Sequence, residues 1–329
     1  MIRMDSMAFK ILSIDGGGIR GIIPAVVLGE IEKITGKPIS SLFDLVAGTS
    51  TGGILALGLA KPKSDGSPEH SAQKLVGLYD SEGSHIFRRS FFHKILSLGN
   101  LSNAKYPTSG LEDALDRYFG EAMLSETLVD LVIPSYDIEK RLPIYFTSYF
   151  ARGRPGFDHK MRYVAQSTAS APTYFKPFKL KTGSEVGHLS LIDGGVFANN
   201  PTLAALSEAT GSRRARIGNL FIVSLGTGQG AQPISLKRAT NWGLVGWATR
   251  ILDVVLDSVS QSVHHQIYYL LRGTKSQQSY YRLQPLLEKG ERRLDNATPS
   301  NIAKLKKIAQ GFVRDNKGLI EEICREVEQ

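Results

Sequence analysis

Ser50 stands at the centre of GTSTG, residues 48 to 52, between two apolar runs, LFDLVA at 42 to 47 and ILALGLA at 54 to 60. This is a G-x-S-x-G pattern in the context it requires: the chain leaves a strand, turns sharply on its glycines and enters a helix, which lifts the serine hydroxyl clear of the sheet. At the helix N-terminus the positive end of the macrodipole favours developing negative charge. Gly48 and Gly52 are the expected supports of that turn. A serine hydroxyl is a weak nucleophile by itself, so it needs a base and a set of donors for the oxyanion that its attack creates.

SIDGGGIRG, residues 13 to 21, offers the donors. Gly16, Gly17 and Gly18 have no Cβ to obstruct a substrate, so their N–H groups can point inward, and Arg20 adds a permanent charge. Both glycine loops follow predicted parallel strands near the N-terminus and should meet at the carboxyl edge of one sheet, where open α/β folds place their sites. Gly16, Gly18 and Gly21 also fit the G-x-G-x-x-G spacing of a dinucleotide fingerprint, which keeps a nucleotide-binding oxidoreductase as an alternative reading. Against it, the acidic residue about 20 positions further on, at the end of the next strand, is missing. Asp44 lies at the start of that strand and Glu30 and Glu32 fall within a helix. No G-K-[ST] follows the glycines, so a P-loop is excluded as well.

For the base, Asp193 in LIDGGVFANNP ends an apolar strand, is followed by Gly194 and Gly195, and precedes a helix that begins near Pro201. A carboxylate in that place also serves as a plain turn or cap residue. His264 and His265 are the rivals, since they follow in the Ser, Asp, His order of triad hydrolases; those folds, however, place several strands before the nucleophile elbow and only one precedes it here. His70, His85, His93, His159 and His188 show no metal-ligand spacing, and no metal site is expected.

The elements that position these residues alternate. Strands are predicted at 10 to 14, 42 to 47, 128 to 135, 143 to 150, 188 to 193 and 219 to 226, with helical periodicity over 19 to 34 and in most other intervals. Such alternation implies an α/β fold with a mainly parallel sheet covered on both faces. Continuous helices are expected from 242 to about 270 and from 300 to 327. The polar stretches at 61 to 70 and 228 to 241 are too short for domain linkers. One domain over residues 1–329 is expected, with a catalytic core at about 8–228 and a C-terminal helical part at about 241–329 packing on it.

With 329 residues, 42% hydrophobic and 22% charged, the chain has an ordinary globular composition. Its single cysteine, Cys324, excludes an internal disulfide and a thiolate metal cluster. The N-terminal MIRMDSMAFK lacks the apolar core of a signal peptide, and no uncharged run reaches the ~18 residues of a membrane span. A cytoplasmic protein, peripheral to membranes, is expected. The net charge of +9 favours anionic partners such as acidic lipid headgroups. HIFRRSFFHKILSLGNL at 85 to 101 interleaves aromatic and basic residues as an interfacial segment does.

Four ordered motifs, DGGGIRG at 15 to 21, GTSTGG at 48 to 53, ASAPTYFKP at 169 to 177 and DGGVFANNP at 193 to 201, resemble those of the patatin-like phospholipases. The likeness continues through SLGTG at 224 to 228 and YYRLQP at 280 to 285 and so spans nearly the whole chain. It implies a three-layer α/β/α patatin-like fold with a mainly parallel central sheet, and a lipid acyl hydrolase acting on carboxylic esters of phospholipids or related acyl lipids. It further implies a Ser–Asp dyad, with Ser50 as nucleophile and Asp193 as base. The oxyanion hole would then come from the Gly16, Gly17 and Gly18 loop with Arg20 supporting it. No cofactor, metal or nucleic-acid partner is implied, and the sequence sets no oligomeric state. The other reading kept open is a storage or binding protein of the same fold with minor catalysis.

Overall fold

In the computed structural model, residues 8–87, 104–182, 187–212, 214–230, 234–243, 246–247 and 250–329 are described. Most of the 85 to 101 segment lies outside the described residues. The centre of the fold is β1 (Phe9–Ile14), whose last four residues are buried, flanked by β2 (Leu45–Gly48) and the fully buried β7 (Leu220–Leu225). Beyond β2 lies β3 (Asp130–Asp137), and beyond β7 lies β9 (Tyr280–Leu283). These five strands are parallel. A two-residue pair, β8 (Gln229–Gly230) with β10 (Leu286–Leu287), stands apart from the main sheet.

Side chains alternate across the strands as the pleat dictates. Ile11, Leu45, Ala47, Val132, Leu220 and Ile222 pack on one face against the helices Thr202–Gly211 and Ile251–Leu271. Leu12, Ile14, Val46, Leu131, Ile133, Val223 and Leu225 point to the other core. That side holds α1 (Ile22–Thr35), α2 (Thr51–Ala60), the helix Met161–Ala169 and the C-terminal pair Pro299–Asp315 and Lys317–Glu328. The result is three layers, α/β/α.

Two strands, β4 (Leu142–Thr147) and β6 (His188–Asp193), run against the rest. β4 returns along β3 through a tight hairpin in which the Asp137 carboxylate accepts the N–H groups of Glu139 and Lys140, and Arg141 adopts φ 56°. β5 (Phe178–Lys181) and β6 form a second antiparallel pair, and β6 is also antiparallel to β3. One edge of β3 belongs to β4. The other edge is shared: β2 takes residues 130 to 132 and β6 takes 135 to 137. The carboxyl ends of β2 and β6 therefore face each other across Ile133 and Pro134. Proline has no N–H to leave unpaired in such a gap.

Several elements are shorter than their sequence patterns. The run 143 to 150 leaves the sheet at Thr147, whose Oγ1 caps the next helical turn by accepting the Phe150 N–H at 3.3 Å. The helix expected from 300 breaks at Asn316, whose side-chain amide donates to the Phe312 carbonyl, 2.8 Å, and so competes with the helical ladder. The long helix expected after Trp242 is described over Ile251–Leu271, with Gly246 and Trp247 helical ahead of it. The C-terminal part adds more than helices, since β9 extends the sheet beside β7. Among the described residues no helix is long and apolar enough to cross a membrane.

Candidate active site

Ser50 occupies the turn between β2 and α2 with φ 55° and ψ −122°, a conformation that L-residues rarely adopt and that only a tightly determined surround maintains. The flanking glycines create that surround. A Cβ at Gly48 would stand closer than 3.0 Å to the Gly52 carbonyl, and one at Gly52 as close to the Ile14 carbonyl, so the turn and β1 touch backbone to backbone. The Ser50 N–H donates to Thr168 Oγ1 at 3.0 Å, and that hydroxyl donates to the Pro134 carbonyl at 2.6 Å, which fills the gap in the sheet edge. Thr49 Oγ1 donates to the Ala198 carbonyl at 2.6 Å and ties the elbow to the chain beyond Asp193.

Asp193 arrives from the opposite direction, at the end of β6. It is buried, its N–H donates to the Ser170 carbonyl at 3.0 Å, and one carboxylate oxygen accepts the Gly195 N–H at 2.7 Å. The Ser50 hydroxyl lies beside the same carboxyl group on the wall of one cavity. Burial pushes the carboxyl up to about 6, only partly opposed by the Ser50 hydroxyl and the Gly195 N–H, and no cation contributes. A Cβ at Gly194 would collide with the Pro134 carbonyl, so the turn after Asp193 can sit down in the same gap.

The loop after β1 closes the third side. Its N–H groups are not equivalent. That of Gly16 is spent on the Asn199 carbonyl, 2.9 Å, which corrects the expectation that Gly16 donates to an oxyanion; its carbonyl in turn accepts Thr227 Oγ1 at 2.7 Å. The N–H groups of Gly17 and Gly18 find no acceptor among the described residues. Both line the cavity that holds Ser50. The reason for glycine here also differs from the expected one. A Cβ at Gly17 would strike Thr227, and one at Gly18, where φ is 56°, would strike the Leu294 carbonyl, so protein packing rather than substrate clearance demands them. Arg20 is buried; its Nε donates to the Gly17 carbonyl at 3.4 Å and Nη1 to the Gly228 carbonyl at 3.5 Å. Holding the Gly17 carbonyl this way fixes the plane of that peptide and with it the direction of the Gly18 N–H on its opposite side.

The histidine rivals lie elsewhere. His264 Nδ1 shares a hydrogen bond with the Tyr280 hydroxyl at 2.9 Å, and the His265 ring packs on Tyr269 at 4.6 Å; neither lines the cavity. The residue that sequence reasoning passed over is Arg282. Its guanidinium grips the Asp15 carboxylate through two bonds of 2.8 and 2.6 Å and donates to Ser224 Oγ at 2.9 Å, fixing the start of the glycine loop from the far strand β9. Burial raises the Asp15 carboxyl and the Arg282 charge opposes that rise. The only trace of this role in the sequence was the motif YYRLQP. Among the described residues no group of three His, Cys, Asp or Glu converges to hold a metal ion.

Around Ser50 the cavity is almost entirely apolar. Ile54, Leu78, Ile86, Phe87 and Leu111 line one part, Ala171, Pro172, Tyr174 and Phe175 from the ASAPTYF stretch another, and Leu252, Leu256 and Leu294 the rest, around some 850 Å³ of space that includes the open mouth. A serine on a strained strand-to-helix elbow, a carboxylate from an opposed strand and a glycine loop thus line one apolar cavity. The model of the family described as "Patatin-like phospholipase" matches residues 12–206, and the chain belongs to that family of lipid acyl hydrolases. It is 32% identical to "Patatin-like protein 4" of Arabidopsis thaliana over 93% of this chain and 83% of that protein. It is 34% identical to "Patatin-like protein 2" of the same plant, over 92% and 82%. A third relative, 29% identical over 92% and 86%, is "Probable inactive patatin-3-Kuras 1" of Solanum tuberosum.

Proposed function

We propose that the protein is a serine-dependent lipid acyl hydrolase that cleaves carboxylic esters of phospholipids or related acyl lipids through a Ser50–Asp193 dyad. The observation that supports this reading is that Ser50 and a buried Asp193 carboxylate with no cation beside it share the wall of one apolar cavity with Gly17 and Gly18, whose N–H groups find no acceptor among the described residues. Ser50 Oγ attacks the ester carbonyl while Asp193 takes its proton. The tetrahedral oxyanion is held by the Gly17 and Gly18 N–H groups, oriented by Arg20. Collapse expels the lysolipid or other alcohol, which leaves with the proton from Asp193. Water then attacks the acyl-enzyme with Asp193 again as base, and the fatty acid is released. The apolar walls hold the acyl chain, and peripheral association with a membrane brings the substrate.

A serine-directed alkyl phosphonate should label the wild-type protein at Ser50. Ser50→Ala should escape labelling and lose hydrolysis of a p-nitrophenyl ester by on the order of ten-thousand-fold with its circular dichroism unchanged. A wild-type protein that folds but neither reacts nor turns over would instead be a binding or storage member of the family.

A further inference from the structure

The helix Ile251–Leu271 separates two depressions. Leu252 and Leu256 line the catalytic cavity, whereas Asp253, Val254 and Asp257 line an open groove on the protein surface. The segment after β10 does the same: Leu294 faces the cavity and Arg292 and Arg293 face the groove. The groove and the catalytic cavity are thus neighbours across a single thickness of chain. Its far wall is built from Ile234, Ser235, Lys237, Asn241 and Trp242.

This face has the composition of a lipid-binding surface. Leu236 is 83% exposed, and Ile234, Trp247 and Ile251 are each more than 40% exposed. Both tryptophans of the chain are here, packed edge to face at 5.2 Å, with the Arg250 guanidinium 4.5 Å over Trp242. Lys237, Arg250, Arg292 and Arg293 outnumber Asp253 and Asp257, so the groove carries net positive charge. Tryptophan favours the headgroup boundary because its ring is apolar with one polar edge, and cations beside apolar side chains place charge at the phosphate level. A second exposed apolar cluster, Leu142, Tyr145, Tyr149, Phe150 and Phe157, lies around β4, but none of its residues lines the cavity, and Arg154 is stacked on Phe150 and Phe157.

We propose that the face formed by Ile234, Leu236, Lys237, the two tryptophans, Arg250, Ile251 and Arg292–Arg293 docks on an anionic lipid surface. Ile234, Leu236, Trp247 and Ile251 enter the acyl boundary and the cations meet headgroup phosphates, which holds the catalytic cavity one thickness of chain from the lipid. This deepens the lipid-hydrolase reading and rests on it for its purpose, but its test does not depend on turnover.

The tryptophans are the probe. Ser50→Ala protein is mixed with phosphatidylcholine vesicles with and without about a third phosphatidylglycerol. It should co-sediment with the anionic vesicles, shift its emission to the blue and be quenched by lipids brominated on the acyl chain, and added salt should weaken binding. In the otherwise native enzyme, Ile234→Asp with Leu236→Asp should lower vesicle affinity roughly tenfold while turnover of monomeric p-nitrophenyl butyrate stays within about twofold. Failure to bind anionic vesicles, binding with unquenched tryptophans, unchanged affinity of the double variant, or its equal loss of monomeric-ester turnover would each overturn the assignment. A wild type that binds and is quenched but hydrolyses no ester would sink the hydrolase reading and leave the docking face standing.

Discussion

Two carboxylates beside the glycine loop have been pushed in opposite directions by their surroundings. Asp193, the last residue of β6, has the Ser50 hydroxyl and the Gly195 N–H beside it and no cation, and burial raises its pKa to about 6. Asp295 sits in the strap from Glu291 to Ala297, next to Leu294, whose carbonyl accepts the Ile19 N–H at 2.9 Å and covers Gly18. Burial opposes its charge too, but the Lys105 ammonium and the Tyr106 hydroxyl outweigh that and hold the carboxyl below its usual range. The difference separates a group poised to take a proton from one that anchors a loop: a base needs proton affinity near the working pH, whereas an anchor needs a counter-charge.

Replacing each carboxylate by its amide should expose the contrast most strongly. Asp193→Asn should cost ester hydrolysis on the order of ten-thousand-fold and yet stabilise the fold above pH 7 by up to about 3 kcal/mol, since it removes an unpaired buried charge. Asp295→Asn should destabilise by on the order of 2 kcal/mol, because Lys105 loses a charged partner, and should keep most of the turnover. Thermal melts and p-nitrophenyl ester assays on the same samples read both. Equal loss of activity in the two variants would erase the distinction.

A third carboxylate, Asp15, tests whether a paired acid can still govern the site. Arg282→Met leaves Asp15 buried without its partner and should cost roughly 3 to 5 kcal/mol, with a fall in kcat larger than any change in KM because the glycine loop is displaced. Adding Asp15→Asn should restore part of the stability. If the double variant is no more stable than Arg282→Met, the pair contributes nothing beyond packing.

The pH dependence carries the comparison into the unmodified protein. For Asp193 the folded-state carboxyl lies above its unfolded value of 3.8, so its contribution to stability is fully present below that value and is lost as pH rises through about 6. For Asp295, held low, stability is present above the unfolded value and is lost as pH falls through the lower folded one. Activity should follow Asp193 alone, falling about tenfold per unit below pH 6. A kcat/KM profile that is flat from pH 5 to 7, in that sense of about two units, would remove Asp193 from the base role. The smallest effect is expected at His264, bonded to Tyr280 away from the cavity: His264→Ala should retain turnover within about fivefold. An inactive, folded His264→Ala protein would point to a triad.

The sequence by itself determined what neighbouring residues decide. Alternating apolar runs dictated strands and helices in three layers, and the strand, glycine, serine, glycine, helix order around Ser50 dictated the elbow, because backbone crowding and turn geometry act over a few residues. The same holds for singling out Asp193 at a strand end. Which way β6 runs was not legible in its residues, since an apolar strand reads alike in either direction; only its place on the edge of β3 turns Asp193 toward Ser50. The spending of the Gly16 N–H on Asn199, the grip of Arg282 on Asp15 across 267 positions, and the meeting of Trp242 with Arg292 and Arg293 at one groove are likewise tertiary decisions. Each joins residues far apart in the chain, and such partners are chosen by sheet order and helix packing, to which no local pattern is sensitive.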